Sequence, residues 1–244
     1  MVDVDPNSDL VFKLKGKSYS VKAKHEYITG HLDIPEKYKN RPVTSIENGG
    51  FKDCMKLKSV TIPKSVKTIG DEAFIYCIEL TSVDLPSSVE EIGESAFNYC
   101  KKLKSIKLPS SLKELGARAF KDCQSLPSVV IPSSLEYISH GTFEYCLKLK
   151  SVKIPSSVTY IAFEAFRNCQ SLTSVVIPAS VEDMGNSPFE DCSNLTFLKF
   201  EGDAIPDYFT SSLKGAKKLK CIHVNAGAKG WGKTWGELPI VVDK

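Results

Sequence analysis

The chain is 244 residues long, 42% hydrophobic and 25% charged, a balance that supplies ample core and speaks against disorder. Lys and Arg number 32 against 29 Asp and Glu, a formal net charge of +3, too slight a bias for the concentrated basic face that nucleic-acid binding demands. No run approaches the roughly 20 apolar residues of a membrane-spanning helix, and the opening MVDVDPNSDL lacks the basic start and apolar run of a secretory signal.

Residues 1–33 read as an N-terminal cap. Val11 to Lys15 and Ser18 to Ala23 alternate apolar with polar side chains around Gly16-Lys17, the pattern of a β-hairpin, and a further strand is expected between Tyr27 and Ile34. From residue 34 to 224 the text repeats. Phe51, Phe74, Phe97, Phe120, Phe143, Phe166 and Phe189 are 23 residues apart, as are Cys54, Cys77, Cys100, Cys123, Cys146, Cys169 and Cys192. Pro63, Pro86, Pro109, Pro132, Pro155 and Pro178 keep the same interval. Self-similarity at a fixed short period marks a solenoid, in which no unit buries its own apolar face and neighbours must stack.

The template is IPxSVxxIGxxAFxxCxxLxSVx. Its LxxVxI part, as in Leu57, Val60 and Ile62, predicts one short parallel strand per repeat and hence one long sheet. Proline then ends the strand, and VxxI, as in Val66 and Ile69, predicts a second short extended piece. Glycine at Gly70, Gly93, Gly116 and Gly185 marks a turn, after which AFxxC predicts a short helix with Ala, Phe and Cys on its inner face.

The first repeat carries a five-residue insertion, since Pro35 and Pro63 are 28 apart, and about eight repeats follow in all. The last is degenerate, with Leu213 in the phenylalanine slot and Ala216 in the cysteine slot. Cys221 then stands where other repeats carry an outward serine, and it is the one cysteine out of phase. Residues 225–244 break the period and predict a C-terminal cap: a brief helix bearing Trp231 and Trp235, then a strand from Ile240 to Val242. The tryptophans serve either to close the core or to stack a sugar.

The template, the 23-residue interval and the AFxxC segment resemble the BspA-like leucine-rich repeats over about Ile34 to Val224, and both flanks look like that family's hairpin and helix-strand caps. The resemblance implies an α/β leucine-rich-repeat solenoid: a curved parallel sheet, short second strands and short helices, capped at both ends. It further implies surface or secreted proteins of host-associated bacteria and some protists, thought to bind host proteins or other cells. The family has no common catalytic motif, and its binding residues vary from member to member.

Eight cysteines would suggest disulfides in a secreted chain. Seven of them share one inward position, however, where parallel Cβ vectors suit free buried thiols better than bridges. No CxxC, HExxH, GxGxxG or GxSxG run occurs, and His25, His31, His140 and His223 are scattered and read as solvated. Neither a cofactor, a metal nor an enzymatic activity is expected.

Recognition is therefore sought on the surface. The outward strand position reads Thr61, Asp84, Lys107, Val130, Lys153, Val176, Lys199 and His223, so lysine and valine alternate from Lys107 to Lys199 with a 46-residue superperiod. Lys104 and Lys150 add to this basic face, which suits an acidic protein or a glycan. A second patch arises where Tyr137, Tyr160 and Phe163 replace polar residues beside Ser139 and Ala162, which stand in the glycine slot. The expectation is a monomeric, non-catalytic binding or adhesion scaffold, at the cell surface or secreted by family resemblance. The alternatives are a structural spacer module and a cytoplasmic interaction scaffold.

Overall fold

The β-branched and leucine residues of each repeat meet in one continuous core, with Val60, Val83, Val129 and Val175 all under 5% exposed. The computed structural model of the chain describes residues 2–4, 8–204, 206, 213–235 and 237–244. It is a three-sided β-solenoid of about nine turns. The first side carries parallel strands Gly30–Asp33, Leu57–Thr61, Ser82–Asp84 and Ser105–Ile106. It continues with Ser128–Val130, Ser151–Lys153, Ser174–Ile177, Phe197–Phe200, Ile222–Val224 and Leu238–Val242. The second side stacks the two-residue strands Thr68–Ile69, Glu91–Ile92 and Glu114–Leu115, then Tyr137–Ile138, Tyr160–Ile161 and Asp183–Met184.

The third side corrects the expected helices: among the described residues there are none. Each AFxxC segment is instead a pair of turns. An α-helix needs every N–H to return to the fourth carbonyl before it, whereas here the N–H groups alternate between two partners. Ala73, Ile75 and Cys77 donate to Gly70, Glu72 and Phe74 three residues back, at 3.1–3.2 Å. Glu72, Phe74 and Tyr76 donate to Glu94, Ala96 and Asn98 of the next repeat, at 2.7–3.0 Å. Two left-handed residues per repeat, such as Glu72 (φ 54) and Tyr76 (φ 62), turn the chain so that this alternation is possible. Such a conformation is unfavourable for a bulky residue and persists because the neighbouring repeat fixes it.

The phenylalanines stack inside this side. From Phe51 to Phe189 successive ring centroids lie 5.2–5.6 Å apart with interplanar angles of 2–9°. The seven ladder cysteines are free thiols. From Cys77 to Cys192 each Sγ donates to the phenylalanine carbonyl of the preceding repeat, Cys77 to Phe51 and Cys192 to Phe166 at 3.2 Å among them. Serines of the post-proline pair bind across repeats too: Ser88 Oγ donates to Val66 and Ser157 Oγ to Leu135, at 2.6 and 2.7 Å.

Gly70, Gly93, Gly116 and Gly185 are glycine for close approach rather than for a left-handed turn. A Cβ on them would fall 2.7, 2.6, 2.4 and 2.2 Å from the backbone nitrogens of Asn48, Asp71, Glu94 and Phe163. Their N–H groups donate to Ile46, Ile69, Ile92 and Ile161, at 2.8–3.1 Å.

At the N-terminal end, Leu10–Lys15 and Ser18–Ala23 pair antiparallel, and the latter runs parallel to Arg41–Ile46, which starts the second side. The inserted residues make a hairpin of their own, Lys37–Tyr38 against Arg41–Ile46. Its two-residue turn, Lys39 (φ 46) and Asn40 (φ 61), is left-handed at both positions, as a type I′ turn requires. Tyr38 lies flat on Phe12, 4.0 Å between centroids. At the other end the predicted helix is absent among the described residues. Thr234–Trp235 pairs antiparallel with Leu238–Val242, and Trp231 packs 5.0 Å from Phe200. Ala216 is buried in the cysteine slot and Leu213 packs against the core.

The expected single long sheet is also corrected, because both strand sides are interrupted at one place. No ladder pair joins Ser105–Ile106 to Ser128–Val130, or Glu114–Leu115 to Tyr137–Ile138. Elsewhere on the first side Thr81 donates to Lys58, Lys104 to Thr81 and Lys150 to Pro127, at 2.8–2.9 Å. Pro127 has no N–H to offer Lys104. On the second side Glu90 donates to Lys67, Lys113 to Glu90 and Thr159 to Glu136, each at 2.8 Å, and no equivalent bond runs from Glu136 to Lys113. Ser139, standing in the glycine slot, reaches Leu115 O with its hydroxyl at 2.6 Å, in place of the glycine N–H bond. Ala162, in the same slot one repeat later, keeps the backbone bond to Ile138, at 2.8 Å. The third side runs on unbroken, with Arg118, Phe120 and Asp122 donating to His140, Thr142 and Glu144 at 2.8–2.9 Å.

Two consequences are measurable. Gly93→Ala forces a methyl into backbone that cannot yield, and a loss of about 1–3 kcal/mol is expected in urea unfolding; an unchanged midpoint would contradict the close-approach account. Burial also pushes the ladder thiols up, Cys54 and Cys192 to about 12. A raised folded pKa gives stability that is complete below the ordinary thiol range near ~8.5 and is lost as pH rises toward the folded value. The urea midpoint should therefore fall across that window, and Cys100→Ala should flatten the slope by up to about 1.4 kcal/mol per pH unit.

Candidate recognition surface

Strand alternation aims every second side chain of the first side away from the core. Parallel in-register pairing then lines these side chains into rows: Val130 faces Lys153, Val176 faces Lys199 and Lys199 faces His223 across the ladder. Adjacent members of a row are roughly 4.8 Å apart. Val130 is 65% exposed and Val176 40% exposed, unusual values for valine in a sheet. Lys104, Lys107, Lys150 and Lys153 are exposed as well, and among the described residues none of the four joins an ion pair. Lys199 differs. Its Nζ lies 2.6 Å from Asp243 Oδ2, so its charge is already matched.

The joint between the two halves falls within this row. There the surface sinks into a hollow of about 550 Å³, whose lining includes Lys107, Leu108, Val130, Ile131, Pro132 and Lys153. The lining mixes leucine, valine, isoleucine and proline with three serines and the two lysines. A group entering it would meet apolar side chains and two lysine ammonium groups together, a combination that favours an apolar side chain flanked by acids.

The aromatic patch lies elsewhere. Tyr137 and Tyr160 are ladder partners on the second side, with Asp183 next in the row. Tyr137 is 43% exposed, and Tyr160 is half-buried. Phe163 is 47% exposed and stacks on His140, 3.9 Å between centroids. The structure therefore places the ten surface residues in two groups on different sides of the solenoid: the lysine and valine row on the first, the rings on or beside the second.

Two histidines are not solvated as the sequence suggests. The His140 side chain is 16% exposed, with Nε2 2.8 Å from an Arg118 nitrogen and Nδ1 2.9 Å from Phe163 O. His223 is 24% exposed, with Nδ1 2.9 Å from Asp243 Oδ1. His31 stays half-exposed but is held by Ser59, Asp33 and Thr61 at 2.7–3.1 Å. Spacing reads His223 as an outward strand residue and could have read His31 so too. It could not show which neighbour each would meet. Among the described residues no three His, Cys, Asp or Glu side chains are placed to hold a metal ion, and no helix is long and apolar enough to cross a membrane.

Comparison with known proteins agrees with this architecture. The family model described as "BspA type Leucine rich repeat region" matches residues 32–149 and 136–233. A leucine-rich repeat protein of T. pallidum superposes with a TM-score of 0.71 at 28% identity, covering 79% of this chain and 91% of its own. A leucine-rich repeat protein from Bacteroides ovatus superposes with a TM-score of 0.53 at 23% identity, covering 96% of this chain and 75% of its own. No curated protein matches the chain by sequence.

Proposed function

Since this chain belongs to the BspA type leucine-rich repeat family, we propose that it is a monomeric, non-catalytic recognition scaffold that binds an acidic protein partner through its first side, at the cell surface or after secretion. Repeat scaffolds of this kind offer extended faces on which residues vary while the interior stays fixed. The observation that carries the reading is the joint. Where both sheets are interrupted, exposed Val130 stands between Lys107 and Lys153 in the outward row, and all three line one hollow. Exposed valine beside unmatched lysine adds nothing to the core. It offers a partner both apolar contact and charge complementarity, with charge acting mainly on encounter rate and specificity.

The test uses the whole chain against a panel of acidic host-surface proteins and a glycan array, with wild type, Lys107→Glu/Lys153→Glu and Tyr137→Ser/Tyr160→Ser compared at two salt concentrations. Binding by wild type that weakens about tenfold in the lysine variant, fades with salt and survives in the tyrosine variant is expected. Affinity unchanged in the lysine variant eliminates this face. Loss in the tyrosine variant alone moves recognition to the second side. Signal confined to the glycan array replaces the protein partner by a sugar.

A further inference from the structure

At the C-terminal end of the first side, the out-of-phase cysteine meets a histidine and an aspartate. Cys221 directly precedes the strand Ile222–Val224 and His223 lies within it, so the two are two residues apart and share its outward face. The next strand, Leu238–Val242, runs parallel with His223 opposite Val241, and brings Asp243 alongside. Cys221 Sγ lies 3.5 Å from His223 Nε2, and His223 Nδ1 lies 2.9 Å from Asp243 Oδ1. Asp243 is held in turn: Lys199 Nζ binds its other oxygen at 2.6 Å, and its own N–H donates to Val224 O at 2.9 Å. The Phe197 ring, 4.7 Å from the imidazole at 34°, limits the ring's swing.

The order of contacts matters. A carboxylate accepting from Nδ1–H leaves Nε2 unprotonated toward the thiol, the arrangement in which imidazole serves as base to a nucleophile. The lysine and the imidazole hold the Asp243 carboxyl below its ordinary range, so it stays charged as the orienting group. The other seven thiols are buried inside the ladder, where burial pushes them up. Cys221 alone is partly exposed.

We propose that Cys221, His223 and Asp243 form an activated thiol site that takes up a mixed disulfide from a low-molecular-weight disulfide. Cys221 passes its proton to His223 Nε2, and the thiolate attacks one sulfur of R–S–S–R. The new Sγ–S bond forms as the old S–S bond breaks. The leaving RS⁻ takes the proton from the imidazolium, so Cys221 is oxidised and half of the disulfide is reduced to R–SH. Asp243 is a positioning residue. It never touches the reacting sulfur.

The experiment follows reaction of the full chain with oxidised glutathione at neutral pH, without denaturant, by intact mass and peptide mapping. One adduct per chain, on Cys221, is expected, and Cys221→Ser abolishes it. His223→Gln slows it about tenfold or more. Asp243→Asn slows it severalfold and Asp243→Glu restores most of the rate, which a merely structural role would not do. A variant that had opened the end of the solenoid would label ladder cysteines as well, so a single adduct serves as the folding control; the Asp243 pair carries the test if His223→Gln fails it. No adduct on wild type, or equal rates in wild type and both slowed variants, overturns the proposal.

Discussion

No turn of this solenoid satisfies its own backbone. On the third side every second N–H is donated to the following repeat, as from Phe74 to Ala96 and from Phe97 to Ala119. A buried amide left without a partner costs on the order of 1–3 kcal/mol, so a repeat lacking its neighbour would lose several bonds as well as its apolar cover. The same register stacks Phe51 through Phe189 and aims the thiols from Cys77 to Cys192 at a carbonyl one repeat back. Stability is then a nearest-neighbour property. Repeating residues are those whose positions the neighbours dictate, and the ladder cysteines and phenylalanines are among them.

The joint shows what happens when the demand relaxes. Pro127 withdraws one donor on the first side, Ser139 substitutes a hydroxyl for an amide on the second, and the third side holds the halves together. The interior does not notice: Phe120 and Phe143 stack at 5.6 Å, within the range of the other pairs. The outside does. A hollow opens at the joint on the first side, and the residues around it are those that depart from a plain solvated strand. Interior regularity and exterior irregularity thus come from one cause, because only positions outside the stack are free to vary.

Much of this was legible in the residues. The 23-residue interval identified the core positions, the first-side strands and the outward row including Val130 and Lys153, since period-2 alternation needs no partner to be read. The helices were misread because Ala, Phe and Cys at positions 73, 74 and 77 fit a helical face and a pair of turns equally well. The choice rests on left-handed Glu72 and Tyr76, and neither residue type announces that conformation. Glycine announces it too readily: Gly93 is needed for room beside Asp71, not for its φ. The joint was hidden for a similar reason. A proline after Leu126 looks like one more variable residue until the pairing of its neighbours shows that an N–H was required there.

Backbone satisfaction by the neighbouring repeat is tested most directly by amide hydrogen exchange on the native chain. The Phe120 amide, which crosses the joint on the third side, is expected to exchange as slowly as that of Phe97. The Glu136 amide, lacking the bond that Glu90, Lys113 and Thr159 make, should exchange at least about tenfold faster than those three, in keeping with a missing bond worth roughly 1.4 kcal/mol. A Glu136 amide as protected as its counterparts, or a Phe120 amide as labile as a surface loop, would contradict the account.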